Sequence, residues 1–476
     1  MRLVSIPSSW NIRHLVVALL FLTLTGTIHA VEVGFGVVDI TPELTADRSV
    51  WLAGYGQNRR ATSVHDPIFA RAVVLRDGDQ KIAMVVADVV GIFYPTVIEV
   101  RERLPGFTYV MVSATHSHEG PDTMGLWGPS PVKSGVDPEY MKQLVDGCVK
   151  AVQQADASAA KATSQYGTAT DDTLLADTRL PKAFDGVIRT LRFVSTDKRS
   201  TTGIVLQWNC HPEAMGSRNT EITADFLYAT IGQLEKKYNC PVVAFTGAVG
   251  GLMAPPRGVI KNDKGEVLGE GDFEYCRLYG EAVGQLAIKA IESEQPIELT
   301  PMKASAKVIS LPMDNPIYRL GAMMGLIKRD VYDWTGDFRI LGDKVDVPRA
   351  KANVALASEV FYLELGQLNV AGIPGEIYPE LIYGSYQEPA DPNADYPDAP
   401  LEKPLVKLLP SDKFMMIGLA NDEVGYIIPK RQWDDVKPFA YERKSKQYGE
   451  VNSIGSETAP IIMQAMEECI VGSKGQ

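Results

Sequence analysis

The chain has 476 residues, 45% of them hydrophobic and 22% charged, a balance that suits a folded enzyme-sized protein and excludes global disorder. With 59 acidic against 47 basic residues its formal net charge is −12, which disfavours nucleic acid and anionic membranes as partners. The five cysteines (Cys148, Cys210, Cys240, Cys276 and Cys469) are scattered without CxxC spacing, so neither a disulfide scaffold nor a paired structural zinc site is expected.

In the first thirty residues, Arg2 and Arg13 are the only formal charges, and Leu15–Thr25 is an apolar run ending near the small residue Ala30. A charged start, a short apolar core and a small-residue end define a signal peptide over residues 1–30. The run is about half of the roughly 20 residues a membrane span needs, and no later segment is long and apolar enough to span. Residues 31–476 then read as one exported domain, secreted or periplasmic, since no Pro/Gly/Ser linker divides them.

Strand-like runs follow at Phe69–Arg76, Lys81–Val86, Phe107–Ser113, Val187–Phe193, Gly203–Trp208, Pro241–Phe245, Leu363–Ile373 and Phe414–Leu419. Helical patterns fall at Pro95–Leu104, Glu139–Ala155, Asp225–Tyr238 and Tyr275–Ser293. This alternation predicts an α/β fold. Gln387–Pro404, rich in Pro, Asp and Glu, reads as a surface loop, and Asn315–Lys351 as an insertion or lid.

Chemistry concentrates just beyond the strands. In SATHSHEGPD, extended chain would turn His116 and His118 to one side, where imidazoles are favoured zinc ligands; the bland alternative is two histidines satisfied at a strand end. His211 in QWNCHPEAM follows another apolar run and by itself reads more readily as structural. Glu376 follows a Pro-Gly turn, where an acid is normally solvated, and Tyr426 could be a core tyrosine. Together, His116, His211, Glu376 and Tyr426 sit past the carboxyl ends of strands, the edge at which α/β sheets bind ligands. Cys210, beside His211, is more readily a buried strand cysteine than a ligand. Asp225 is read equally as a carboxylate orienting a histidine or as the N-cap of the helix after it. Arg59 and Arg60 are candidates for meeting an anionic substrate or, more simply, solvated arginines. No GxSxG elbow supports a serine hydrolase.

The ordered landmarks GFGVVDITP, LAGYG, HDPIFARAVVL, VVADVVG, SATHSHEGP, LQWNCHP, ITADF, the PGE turn and GYI resemble the catalytic domain of neutral, non-lysosomal ceramidases over nearly all of residues 31–476. The resemblance implies a mixed-sheet α/β catalytic domain without the family's C-terminal immunoglobulin-like domain. It also implies one zinc held by His116, His211, Glu376 and Tyr426, with His118 facing the substrate and Arg179 and Tyr441 near the reacting group. The implied activity is hydrolysis of an amide or ester in a small-molecule substrate such as a lipid amide or an acylated sugar. Ala254 stands where the family carries a functional serine, which points away from ceramide itself. A non-catalytic ligand-binding protein on the same fold is the alternative.

Overall fold

Residues 30–251, 253–346 and 352–473 are described by a computed structural model. Nearly all of the segment read as a signal peptide lies outside the described residues. Eight strands form the path of the first sheet: β1 (Val31–Asp39), β2 (Phe69–Asp77), β3 (Gln80–Ala87), β4 (Tyr109–Ala114), β5 (Ala160–Thr170), β6 (Val187–Ser195), β7 (Thr201–Trp208) and β8 (Val242–Thr246). Their order is β8-β7-β6-β5-β1-β2-β3-β4, antiparallel except for the parallel pairs β3–β4 and β7–β8, and Gln295–Ile297 adds to β5. A second sheet has the order β9-β10-β11-β12, from Met302–Pro312, Val354–Leu365, Leu368–Gly372 and Phe414–Ile417, with β11–β12 parallel. The helices of eight residues or more among the described residues are α1 (Tyr94–Glu102), α2 (Pro138–Ser158), α3 (Phe226–Tyr238), α4 (Phe273–Glu292), α5 (Pro316–Met323) and α6 (Thr458–Ser473).

Side-chain alternation sorts the strand residues between layers. On β2, Ala70, Ala72 and Val74 face α2, while Val73 and Leu75 face the second sheet. Phe361, Leu363, Val370 and Ile417 of the second sheet meet them in a shared core. Its other face packs on α6 through Leu356, Tyr362, Ile462 and Met466. The result is a helix–sheet–sheet–helix stack. Gly34 and Gly36 let α2 lie directly on β1, because a Cβ there would stand 1.9 Å and 2.0 Å from the Ala155 and Ala151 carbonyl oxygens.

The first sheet curls until its end strands meet: Thr246 Oγ1, ending β8, donates to the Thr115 carbonyl just past β4 at 2.7 Å. The loop after β12 stitches into this seam, with Gly418 N donating to Thr246 O at 2.9 Å and Asn421 N to Val112 O at 2.7 Å. Segments distant in sequence therefore converge at one edge.

The expected strands and helices form within a few residues of their expected limits, with one correction. Leu363–Ile373 is not one strand. Gly366, at φ +53°, and Gln367 turn the chain back between Leu365 and Leu368, as a two-residue Gly-first hairpin does. Gln387–Pro404 holds no helix or strand, as expected of a loop, and Pro316–Met323 forms a helix capped by the Asn315 side chain.

Candidate metal centre

His116 lies two residues beyond β4, and its φ of +66° is a left-handed conformation rare for a side chain that is not glycine. The strand has ended by then, so the convergence of His116 and His118 owes nothing to strand parity. The turn itself brings their ring centroids to 4.8 Å. His211 follows β7 by three residues and lies 4.8 Å from His116, ring to ring. All three histidines are buried, their nitrogens within 4.8 Å of one another, and together they could hold a metal ion.

The hydrogen bonds fix two tautomers. His116 Nδ1 donates to the Val90 carbonyl at 2.5 Å and His211 Nδ1 to the Met253 carbonyl at 2.8 Å. A carbonyl only accepts, so each neutral ring turns an Nε2 lone pair inward. Both lone pairs face the same oxygen: Glu376 Oε2 stands 2.9 Å from His211 Nε2 and 3.6 Å from His116 Nε2. Three acceptors around one point repel unless a proton or a metal ion lies between them. The donor set suits a borderline-soft dication. Burial raises the Glu376 carboxyl, yet the imidazoles beside it hold it well below the usual carboxylate range. Burial also opposes charge on His211, but the Glu376 carboxylate facing its Nε2 raises it, since a proton on that nitrogen would turn the repulsion into a hydrogen bond.

Tyr426 pairs with Glu376 in a short parallel bridge, Glu376–Ile377 against Tyr426–Ile427. It is buried, and burial followed by the Glu376 charge pushes its phenol well above the usual range. His118 is different: neither ring nitrogen has a partner, and burial followed by the adjacent imidazoles lowers it well below an ordinary histidine. Tyr55 packs edge-on against it at 4.9 Å.

Arg179 is brought to the layer behind Tyr426. Its guanidinium is 1% exposed and donates to the Tyr378 hydroxyl at 2.9 Å and to Glu450 at 2.7 Å, and the Tyr378 ring lies 6.3 Å from that of Tyr426. Tyr441 stands by Arg179, its backbone N–H donating to Asp391 at 2.9 Å. Asp225 does not orient a histidine, because backbone carbonyls do that. Its carboxylate accepts from Phe226 N, as a helix cap does, and from Ala214 N and Met215 N, clamping the loop after His211. Arg59 is not a solvated arginine. It is buried against Glu119 at 2.5 Å and the Ala53 and His118 carbonyls. All five cysteines are free and buried, and Cys210 accepts from the Tyr279 hydroxyl rather than joining the cluster.

Two carboxylates escaped the reading of the sequence. Glu213 lies 3.8 Å from His118 Nδ1, and burial pushes its carboxyl up to about 7. Glu423 is buried near Glu376, and burial then that charge raise it well above the usual range. Their only signals were proximity in sequence, two residues after His211 and three before Tyr426.

Residues 31–255, which hold all three histidines, match the family described as neutral/alkaline non-lysosomal ceramidase, N-terminal. The chain is similar in fold to the crystal structure of neutral ceramidase from Pseudomonas aeruginosa, with a TM-score of 0.70 at 16% identity over 94% of this chain and 75% of that one. A ceramidase complexed with C2 gives the same TM-score and identity, over 94% of this chain and 76% of that one. No curated protein matches the chain. Glu376 and Tyr426 lie beyond the matched residues, in the part where the likeness is one of fold. Residues 31–255 thus carry the N-terminal domain of the neutral/alkaline non-lysosomal ceramidase family, and the chain as a whole shares the neutral-ceramidase fold.

Proposed function

We propose that this protein is an exported, zinc-dependent hydrolase of amide or ester bonds, with residues 1–30 as signal peptide and 31–476 as one catalytic domain. The observation that carries the proposal is the convergence of two Nε2 lone pairs on a single oxygen of Glu376. His116, His211, Glu376 and Tyr426 are the metal-holding residues. A zinc ion there supplies a water of lowered pKa and polarises a carbonyl. His118, uncharged and with both nitrogens free, exchanges a proton with the reacting groups through Nε2 while Nδ1 faces Glu213. Arg179, buried behind Tyr426, acts by holding Tyr378 in place and not by touching the substrate, and Tyr441 fixes the substrate's polar end.

Ala254 puts a methyl group where the family's serine would place a hydroxyl. Losing one such donor costs on the order of 10²–10³ in rate unless replaced. Ceramide is therefore a poor substrate in this reading, and a lipid amide or acylated sugar of different shape a better one. The same methyl group favours the second reading, a ligand-binding protein without turnover.

The test is metal analysis of the purified protein beside His116→Ala and Glu376→Ala. One zinc per chain, lost in both variants, is the expected result, and screening of amide and ester substrates then separates enzyme from binder. No bound metal after zinc reconstitution overturns the proposal.

A further inference from the structure

Beside the histidine cluster lies a cavity of about 200 Å³ lined by Tyr55, Glu213, Ala254, Pro255, Glu270 and Tyr275, with Arg257 at its rim. Glu213 is held there firmly. Its backbone carbonyl accepts from the Tyr55 hydroxyl at 3.0 Å, and Asp225 fixes the next two backbone amides at 3.1 and 3.0 Å. Its carboxylate nevertheless accepts no hydrogen bond among the described residues, and the ring it lies nearest is that of the uncharged His118, at 3.8 Å. His118 itself is 8% exposed with both nitrogens unpartnered. The second acid is not free in this way: Glu270 pairs with Arg257 at 2.9 Å, and the Arg257 side chain is 87% exposed. The cavity thus offers one unpaired carboxylate, two phenol rings and the methyl group of Ala254. Anion and aromatic surface together are the recognition chemistry of organic ammonium groups. At about 30 Å³ per water-sized group the space takes roughly seven non-hydrogen atoms, the size of a head group and not of a long acyl chain.

We infer that Glu213, with Tyr55 and Tyr275, forms a subsite for an organic ammonium group that the substrate carries close to its scissile bond. The inference rests on the hydrolase reading for the reaction beside the subsite, but not for the binding. An acidic chain also draws such cations toward the site.

The probe is choline, whose quaternary nitrogen has no lone pair to offer a metal, set against its neutral isostere 3,3-dimethylbutan-1-ol. Titration calorimetry on the zinc-reconstituted protein should show choline binding at least tenfold tighter than the isostere. Glu213→Gln should weaken choline at least tenfold with zinc content and Tm retained, and Tyr55→Leu should weaken it too. Glu270→Gln should leave it within twofold. Equal binding of the two alcohols, no binding of choline, or undiminished choline binding by Glu213→Gln overturns the subsite. Zinc-free protein that still binds choline through Glu213 sinks the hydrolase reading and keeps the subsite. Zinc-loaded protein that ignores choline does the reverse.

Discussion

Gly54→Ala tests whether the position of His118 is set by the backbone beside it. Gly54 has a φ of +93°, and a Cβ there would stand 2.3 Å from His118 Cγ and 2.5 Å from His118 Cβ. Carbon contacts are comfortable from about 3.5 Å, so the ring or the loop must give by about 1 Å. The ring has little room, with Tyr55, His116 and His211 around it. Left-handed strain costs about 1–2 kcal/mol and overpacking about 1–3 kcal/mol, together about 2–5 kcal/mol of stability. A 1 Å misplacement of a reacting group costs on the order of 10² in rate. The variant should melt earlier, keep its zinc because His118 is not among the proposed ligands, and lose about 100-fold in kcat/KM on whichever ester or amide the wild type cleaves. Calorimetric melting, metal analysis and steady-state kinetics read these separately. Wild-type melting together with wild-type turnover would refute the reasoning.

Asp225→Ala removes the acceptor for three backbone amides. At roughly 1 kcal/mol or more each it should cost about 3 kcal/mol and loosen the His211 loop, seen as lower Tm and weaker zinc retention in a chelator titration. Stripping zinc should itself lower the melting temperature of the wild type, since a ligand at 100 times its Kd contributes about 2.7 kcal/mol, and should leave that of Glu376→Ala unmoved. Burial pushes the Glu380 carboxyl up to about 7, with one oxygen unpartnered. Because the folded state holds this proton more tightly than the unfolded chain, the contribution is fully present below the unfolded value and is lost as pH rises to about 7, by about 3 kcal/mol. Chemical denaturation across that window should show the fall, shared with the similarly raised Glu213 and Glu450, and Glu380→Gln should reduce it by about that amount. Gly36→Ala drives a Cβ to 2.0 Å from the Ala151 carbonyl oxygen, backbone against backbone, so α2 must lift from β1 and Tm should fall even though the site is distant.

The strands that were legible are those with continuous apolar runs between two packed layers, such as β3 and β7. Three were not, β1 (VEVGFGVVD), β5 (AKATSQYGTAT) and β9 (MKASAKVIS, extended by LP), and of β10 only its last three residues, Leu363–Leu365, were. β1 uses glycine where α2 presses on it, and β5 and β9 interleave lysine, serine and threonine with their apolar residues. Glycine, alanine and lysine carry little strand propensity, so packing decided these elements and not local preference. The helix α6 was missed for the opposite reason. It is apolar nearly all round, buried against the second sheet, and shows no amphipathic stripe to read.

At the site, what could be read and what could not divide along chemistry. His116, His211, Glu376 and Tyr426 could be gathered because each follows an apolar run, and strand ends collect at one edge. The groups that orient them left no trace, since a carbonyl of Val90 or Met253 is the same atom whatever side chain stands there. A carboxylate search for the orienting partner therefore went to Asp225, which clamps the adjoining loop instead. That substitution of neutral carbonyls for carboxylates changes the charge of the centre. Glu376 is left as the carboxylate facing both imidazole lone pairs, so a bound dication keeps surplus positive charge that His118, driven toward its neutral form by burial, does not add to. Glu213 stands beside His118, two residues after His211, in a place where an acid after proline looks like any surface loop. What sets it there is the backbone bond from His118 N to the Pro212 carbonyl at 3.2 Å, together with the Asp225 clamp on Ala214 and Met215.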